Sequence, residues 1–346
     1  MSIDLDQISE ENLLKVRIRD LPLMIEGTWL ENCIARLYEE LEAKQIPFRP
    51  VCYLADEWLT PENEPVIGIP FYLAHPALIR LEKKMMLEAE GQTVDSCMQL
   101  LRHETGHAIC YAYGLNKKKK FRQIFGSSGE EYSETYRYRP YSKSYVRHLE
   151  GFYAQYHPDE DFVETFAVWL TPGLDWAAHY RGWPALKKLQ YIDELMALIS
   201  RKPLPVKKGK KYWHFRTVRS TLENHYRRKR KLREEDFPDF HDGNLRRIFQ
   251  SPPADVPKKK NSKAAAAFLK KSRRGIIKEV SLWTGEKKYV INDLLNDMIR
   301  RCRDLGLQVG DEESLVMLRT VSYITTLVMN YIYTGWYRGD RKRKKT

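Results

Sequence analysis

Residues 100–114 read LLRHETGHAICYAYG, and the five residues HETGH at its centre decide how the chain is interpreted. On an α-helix, positions four apart lie one above the other on the same face. His103 and His107 can therefore offer two imidazoles to one metal ion. Glu104 lies one step round the helix, where its carboxylate can reach a water on that ion without being a ligand. One helical turn would then hold two metal ligands and a general base.

The residues around HETGH favour a metal site over an ordinary helix, although five-residue matches of this kind also arise by chance. Thr93 can cap a long helix that runs to Tyr113, and Gly114 is placed to end it. Gly106 removes side-chain bulk beside the second histidine. Two histidines in the middle of a helix, with no metal, would be costly to bury unpaired.

A catalytic zinc site needs a third protein ligand and leaves a fourth position to water. Residues 157–172, HPDEDFVETFAVWLTP, offer acidic candidates on another helix. Glu164 falls among the aromatic residues of that helix, and an acid on an apolar face needs a partner such as a cation. The acids at 159–161 suit the alternative interpretation, in which they lie in the first turn and interact with the helix dipole.

HETGH at 103–107, followed by DEDFVETFAVWL at 159–170, resembles the gluzincin class of metallopeptidases. The likeness is greatest to the bacterial family named "putative zinc-binding metallopeptidase", and it is more distant to the lethal-factor and Mlc-titration-factor groups. The resemblance implies that His103, His107 and Glu164 bind one Zn²⁺ per chain and that Glu104 is the general base. The thermolysin branch has an aspartate four residues after its ligand glutamate, whereas this chain has Val168, so Asp161 is the candidate to orient a histidine.

Such sites often use a tyrosine to stabilise the oxyanion, and Tyr153 and Tyr156 are the candidates here. His157 precedes a proline and is expected only to cap the helix. The expected reaction is hydrolysis of a peptide bond, in which Glu104 takes a proton from water and passes it to the leaving amine. The substrate is expected to add as a strand to an exposed edge at Val66–Leu73.

The sequence predicts an α+β fold. A first helix is expected at Thr28–Lys44 and strands at Val51–Trp58 and Val66–Leu73, with further helices ending near Leu170 and spanning Leu186–Ile199. The expected first domain, residues 1–200, is zincin-like, with a small sheet whose edge strand lies beside the HExxH helix and the Glu-ligand helix. Residues 201–263 form a basic, linker-rich region, and 264–346 form a basic, mainly helical domain.

Charge divides the 346 residues unevenly, although the net charge is +13. Residues 1–200 contain 22 Lys+Arg and 30 Asp+Glu, a net −8, while residues 201–346 contain 37 and 16, a net +21. An acidic half suits a domain that binds a cation. The basic half suits an acidic protein or nucleic acid, although runs of charge are more often simply solvated.

Two functions of different classes are compatible with these patterns. The first is a zinc metallopeptidase acting on a peptide or protein substrate. The second is a non-catalytic protein that zinc stabilises and whose basic half binds nucleic acid or an acidic partner. Five cysteines without a CxxC pair argue against a disulfide framework, and the acidic N-terminus is not expected to act as a secretory signal. Leu315–Tyr333 is expected to be a buried helix rather than a membrane span, which favours a cytoplasmic location with no membrane partner.

Overall fold

The computed structural model describes residues 3–132, 138–139, 141–203, 209–231, 241–251 and 264–334. The chain divides into two compact units. The first unit comprises Met1–Lys84 and Ala89–His225, and the second comprises Met85–Glu88 and Tyr226–Thr346. The fold is mixed and mostly helical with a small parallel sheet. At that level the α+β prediction is confirmed.

The secondary structure of the described residues is as follows. The α-helices are α1 Glu10–Lys15, α2 Trp29–Ala43, α3 Pro76–Met86, α4 Val94–Tyr113, α5 Lys119–Phe125, α6 Pro158–Leu170, α7 Trp176–His179, α8 Ala185–Ile199, α9 Leu222–Lys231, α10 Asp242–Ile248, α11 Ala265–Thr284, α12 Lys288–Asp304 and α13 Glu313–Thr334. Short 3₁₀ helices occupy Ile18–Asp20, Phe71–Ala74, Leu115–Lys117, Glu150–Gln155 and Phe215–Thr217. The strands are β1 Val51–Ala55 and β2 Val66–Pro70.

Helix α4 contains HETGH, and its predicted ends are confirmed. Thr93 and Ser96 form a reciprocal capping box at the N-terminus, which satisfies backbone N–H groups that have no partner within the helix. Gly114 ends the helix with φ 58° and ψ 42°, a left-handed conformation that glycine adopts without steric cost. The motif therefore lies in the rigid middle of a helix of 20 residues.

Helix α6 crosses α4 closely because Gly106 has no side chain. A Cβ at that position would lie 3.1 Å from Val163 Cα and 3.2 Å from Phe166 Cδ1. Every residue of α6 from Asp159 to Leu170 is buried. The close crossing brings the first turn of α6, with its acidic residues, over the histidines of α4.

Helix α2 holds α4 from another side through a buried ion pair. Glu40 on α2 accepts two hydrogen bonds of 2.7 Å from Arg102, one from Nε and one from Nη2. Both side chains are less than a tenth exposed. Such bidentate pairs fix geometry as well as charge, so this pair sets the rotation of α4 next to His103.

Strands β1 and β2 are parallel, with Val51 opposite Val66 and Ala55 opposite Pro70. The prediction of an exposed edge at Val66–Leu73 is wrong at Gly68. Leu59 pairs with Gly68 from the other side, since Gly68 N–H donates to Leu59 O at 2.8 Å and Leu59 N–H donates to Gly68 O at 3.2 Å. A side chain at Gly68 would collide with Leu59, so glycine is what allows this segment to approach.

Residues 209–225 belong to the first unit and cover the other side of β1. Tyr53 Oη donates to Tyr212 O at 2.7 Å, and Ala55 forms a bridge with His214. The compact unit therefore extends beyond residue 200. Residues 204–208 of the predicted linker-rich region, 201–263, lie outside the described residues.

The second unit contains a core shared by α10, α11, α12 and α13. Its buried residues include Leu245, Ile276, Ile291, Leu295 and Ile324. Glu313–Ile332 is the one stretch of described helix that is long and apolar enough to cross a membrane, by length and composition only. Residues 232–240 and 252–263 of the predicted linker-rich region and residues 335–346 of the predicted helical domain lie outside the described residues.

Candidate metal centre

Helices α4 and α6 bring three side chains to one point. His103 and His107 project from α4 with ring centroids 5.2 Å apart. Glu160 projects from the first turn of α6, and its Oε2 lies 3.3 Å from His103 Nε2 and 3.4 Å from His107 Nε2. The three atoms all lie within 4.8 Å of one another. Among the described residues, this is the group of side chains that could hold a metal ion.

The two distances from Glu160 Oε2 to the histidine Nε2 atoms fit a tetrahedral zinc ion. Metal–ligand bonds of about 2.0–2.2 Å at tetrahedral angles place two ligand atoms roughly 3.3–3.6 Å apart. Glu160 Oε2 is also buried and makes no hydrogen bond. A buried carboxylate oxygen without a partner is costly, and a cation bound to both histidines would supply that partner. Two histidines and a glutamate are also a known donor set for catalytic zinc.

Glu164 does not occupy the position that the sequence suggested for it. Its Oε1 lies 2.8 Å from His103 Nδ1, which is the ring nitrogen opposite the one facing Glu160. Its Oε2 accepts a hydrogen bond of 2.8 Å from Leu149 N–H. Both oxygens of Glu164 are thus engaged behind His103, and it is Glu160 whose oxygen faces the two histidine Nε2 atoms.

The suggestion that Asp161 orients a histidine is also corrected, because Asp161 accepts a hydrogen bond of 2.6 Å from Lys188 Nζ instead. Glu164 has the orienting contact, four residues after Glu160. A carboxylate that accepts from the second ring nitrogen of a metal-binding histidine fixes its tautomer and ring orientation. The signal that could have found this pair was present in the sequence: a glutamate followed four residues later by a second carboxylate.

Glu104 lies beside the histidines and is 7% exposed. Its backbone carbonyl accepts a hydrogen bond of 3.1 Å from Thr60 Oγ1, while its side-chain Oε2 is buried and makes no hydrogen bond. Burial raises the pKa of the Glu104 carboxyl above its ordinary value, and the nearby histidines oppose that rise. A carboxylate whose pKa is raised by burial is a better proton acceptor than an exposed one.

His103 lies between two carboxylates. Burial lowers the pKa of His103, but the hydrogen bond with Glu164 and the nearby negative charges of Glu160 and Glu164 more than offset burial and raise that pKa to about 10. The charges of the histidines correspondingly hold the pKa of Glu160 well below its usual range, against the effect of burial. Without metal, a proton on His103 therefore compensates the buried carboxylates.

The two predicted tyrosines lie near these histidines. The ring of Tyr153 is 5.6 Å from that of His103, and the ring of Tyr156 is 5.7 Å from that of Tyr153. Burial is the main cause that raises the pKa of Tyr153, and Glu160 and Glu104 add to it. Phe152, the preceding residue, has φ 57°, an unfavourable conformation for a bulky residue.

Sequence reasoning missed two further tyrosines near the centre. Tyr111 stacks on His107, with ring centroids 6.1 Å apart and 23° between the planes. Its position four residues after His107 on the same helix was a signal that could have identified it. Tyr132 Oη donates to Glu160 Oε1 at 3.1 Å, and it comes from an irregular segment for which no periodicity exists. The expected capping role of His157 is confirmed, since its Nδ1 accepts from Asp159 N–H at 3.1 Å.

Residues 66–181 match the family described as "Putative zinc-binding metallo-peptidase". The matched segment contains β2, HETGH and the acidic residues of α6, which are the parts of the chain that build the centre. The resemblance to this family, first noted from two short motifs, is thereby confirmed over that segment. Comparison with curated proteins gave no match, and comparison with solved structures gave none.

Proposed function

We propose that this protein is a zinc-dependent peptidase of the gluzincin type. In this proposal His103, His107 and Glu160 bind one zinc ion, Glu164 orients His103, and Glu104 is the general base. The family match supports a metallopeptidase in general terms. The residue roles rest on the geometry of α4 and α6.

One observation carries the proposal. Two histidine Nε2 atoms converge on a buried glutamate oxygen that has no hydrogen bond, at separations of 3.3 and 3.4 Å. A second buried oxygen without a hydrogen bond, Glu104 Oε2, belongs to the residue next to His103. In a pair of helices with no metal, a proton on His103 can offset the charge, but both oxygens still lack a hydrogen bond, whereas a metal ion and a water molecule would give each oxygen a partner.

Zinc, when bound, lowers the pKa of a water towards ~7 and polarises a peptide carbonyl. Glu104 accepts the proton that this water loses as it attacks the carbonyl carbon. The same carboxyl then gives the proton to the leaving amine, so that it ends the cycle ionised. Burial favours this role because it raises the pKa of Glu104 and so stabilises the protonated form midway through the reaction.

Tyr153 is the better candidate of the two tyrosines to stabilise the oxyanion. Its ring is the one in contact with His103, and its hydroxyl makes no hydrogen bond with any described residue. Tyr156 packs one ring further out, between Tyr153 and Tyr132. A hydroxyl that is free in the resting site can donate to charge that develops only in the transition state.

The segment around Leu59 replaces β2 as the proposed edge for the substrate. Leu59 directs its backbone N–H and C=O to Gly68, so the backbone groups of Trp58 and Thr60 face the other way. Thr60 Oγ1 donates to Glu104 O, which places this segment beside the HETGH helix. An extended peptide that pairs with residues 58–60 would lie next to Glu104.

The alternative, a non-catalytic zinc protein whose basic half binds nucleic acid or an acidic partner, is not favoured. A closed structural site has four protein ligands, whereas the group found among the described residues has three. A buried glutamate without a hydrogen bond next to the first histidine also has no use in a closed site.

The test is a cleavage screen with a library of proteome-derived peptides. The wild-type protein and Glu104→Gln are loaded with zinc to the same content, and new peptide termini are identified by mass spectrometry. We expect new termini with the wild type and at most trace amounts with Glu104→Gln. Equal numbers of new termini from both proteins, at equal zinc content, would contradict the assignment of Glu104 and of peptidase activity to this centre.

A further inference from the structure

Residues 126–132, GSSGEEY, follow α5 and are called the strap here. The strap is tied to the first turn of α6 at several points. Ser128 Oγ donates to Asp159 Oδ1, and His157 Nε2 donates to Glu130 O at 2.9 Å. Gly126 packs against Pro158, where an added Cβ would lie 3.0 Å from Pro158 Cγ. The strap thus follows the turn of α6 that carries Glu160.

Tyr132, at the end of the strap, contacts Glu160 itself. The Tyr132 Oη donates to Oε1 of Glu160 at 3.1 Å, while Oε2 of the same carboxylate faces His103 and His107. The two oxygens of Glu160 therefore have different partners. Glu160 is 4% exposed, whereas the Tyr132 side chain is 50% exposed, so the tyrosine reaches from the surface to the buried carboxylate.

We infer that Tyr132 is a positioning residue of the metal centre. Its hydroxyl holds Glu160 Oε1 and thereby presents Oε2 alone to the cation, as a ligand through one oxygen. This inference rests on the proposed function in that it takes Glu160 as a zinc ligand. Tyr132 itself touches neither zinc nor substrate in this account, and acts through the glutamate.

His157 explains how a half-exposed tyrosine is held in place. The rings of Tyr132 and His157 are stacked, with centroids 3.9 Å apart and 16° between the planes. His157 is itself fixed at both nitrogens, because Nε2 donates to Glu130 O and Nδ1 accepts from Asp159 N–H. The imidazole therefore joins the strap to the N-terminus of α6 and supports the ring whose hydroxyl reaches Glu160.

The contribution to the metal site follows from restricting the carboxylate. A glutamate with both oxygens free can rotate, and it can bind through either oxygen or through both. Each partner that fixes one oxygen removes some of these alternatives before the metal arrives. Changing a residue that orients a metal ligand typically weakens metal binding by 10–100-fold. We therefore expect removal of the Tyr132 hydroxyl to weaken zinc binding by about tenfold or more.

The experiment compares Tyr132→Phe with Tyr141→Phe in the full-length protein. Tyr141 lies in the same tyrosine-rich stretch but is 93% exposed, so it is the matched control. Zinc affinity is measured by competition with a chelator. Co²⁺ absorption spectra report the coordination geometry, and the melting temperature of the metal-free protein reports any purely structural effect.

We expect Tyr132→Phe to lose about tenfold or more in zinc affinity and to alter the Co²⁺ spectrum, while the metal-free protein still unfolds cooperatively, with a melting temperature lowered by the lost hydrogen bond to a buried carboxylate. Tyr141→Phe should stay within about twofold of the wild type. Equal affinities and equal spectra for the two variants would overturn the inference while leaving the proposed function intact. A wild-type protein that binds no zinc would overturn the proposed function, and this inference with it.

A second variant, His157→Asn, tests the support without touching Glu160. Asparagine can still cap α6, but it has neither the ring nor the reach to hold the strap. We expect it to weaken zinc binding in the same direction as Tyr132→Phe. In the double variant the two losses should be less than additive, since both act through the same hydroxyl. If the two losses in zinc affinity were fully additive, His157 and Tyr132 would act independently. That result would contradict the inference that His157 acts by supporting Tyr132.

Discussion

Helix α6 in the first unit and α12 in the second bury their residues in opposite ways. In α12 the buried residues are apolar and recur at helical spacing: Val290, Ile291, Leu294, Leu295, Met298, Ile299 and Cys302. In α6 every residue from Asp159 to Leu170 is buried, including the four carboxylates Asp159, Glu160, Asp161 and Glu164. The first pattern is what hydrophobic burial alone produces, and the second requires specific partners.

The four buried carboxylates of α6 differ in the partners that bind them. Asp159 accepts from Ser128, Asp161 accepts from Lys188, and Glu164 is engaged by His103 and Leu149. Glu160 is bonded by Tyr132 at one oxygen, while its other oxygen faces two histidines and makes no hydrogen bond. Places where a helix departs from the simple burial pattern are where function is expected. In α6 the buried charged residues that depart from the pattern all lie between Asp159 and Glu164.

The largest expected effect is loss of metal. We predict that His103→Ala, His107→Ala removes zinc binding, because one carboxylate cannot hold zinc without the imidazoles. Elemental analysis of protein purified without added metal should find about one zinc per chain in the wild type and none in the variant. Zinc at the wild-type level in the double variant would place the metal elsewhere in the chain.

Replacing Glu104 comes next. Glu104→Gln should keep its zinc but lose roughly 100-fold to 10,000-fold in kcat/KM, because an amide cannot accept the proton. Glu104→Asp retains a carboxylate that is one methylene shorter, so its activity should fall between the two. The measurement is steady-state kinetics on a peptide found by the cleavage screen. Activity in Glu104→Gln that matches the wild type would rule out this residue as the base.

Two ion pairs test the contrast between the helices directly. Lys188→Gln should lower the free energy of unfolding by about 3 kcal/mol, since it leaves Asp161 buried without its cation. Arg300→Gln breaks an exposed pair with Asp297 on α12 and should cost less than about 0.5 kcal/mol. Urea unfolding of the metal-free proteins at about pH 9, where Asp161 is ionised in the wild type, measures both. Equal losses in the free energy of unfolding for the two variants would mean that burying Asp161 in α6 without a cation costs no more than breaking an exposed ion pair.

The cost of Lys188→Gln should also grow with pH. Burial raises the pKa of Asp161, against the effect of Lys188, to about 7, well above the usual value of about 3.9 for an aspartate in an unfolded chain. The folded state thus binds more protons than the unfolded state between these values, and its stability falls as pH rises through them. Without Lys188 that loss is larger, so the difference from wild type should be small near pH 4 and greatest above pH 7.

The next smaller effect is the difference in zinc affinity between variants of Glu160 and Glu164. Glu160→Gln replaces a charged ligand and should weaken zinc binding more than Glu164→Gln, which only alters the hydrogen bond to His103. For Glu164→Gln we expect a loss of about 10–100-fold. Competition with a chelator measures both variants against the wild type. A larger loss in Glu164→Gln than in Glu160→Gln would return Glu164 to the ligand position that the sequence first suggested.

The smallest effect is a pH dependence of zinc affinity. The pKa of His103 in the metal-free protein is raised to about 10, so its imidazole is protonated at neutral pH. Zinc requires a neutral imidazole and must displace that proton. The apparent affinity should therefore rise about tenfold per pH unit between roughly pH 7 and 9 and level off near the pKa. An affinity that does not change over this range would show that His103 carries no proton to displace.

The same contrast explains how much the sequence could predict. Helix α4 was predicted with its ends, because Thr93 and Gly114 are local signals and the histidines are four residues apart. The helices of the second unit follow from apolar spacing. Within α6 the spacing could show only that acids lie among aromatic residues. Since all sides of α6 are buried, periodicity cannot distinguish Glu160 from Glu164.

The remaining contacts depend on the tertiary structure. Tyr132 reaches Glu160 across 28 positions of the chain, from a segment with no regular spacing. Leu59 covers Gly68 through an isolated pairing that hydrophobic alternation does not encode. Whether Glu160 or Glu164 faces the histidine Nε2 atoms depends on how closely α6 crosses α4, and that distance is set by Gly106 packing against Val163.

Diffraction from crystals of the zinc-loaded protein, recorded on both sides of the zinc absorption edge, tests the central claim most directly. We predict one anomalous peak per chain, bonded to His103 Nε2, His107 Nε2 and one oxygen of Glu160, with Glu164 at His103 Nδ1. A peak bonded to Glu164, a fourth protein ligand that closes the site, or a peak away from α4 would contradict it.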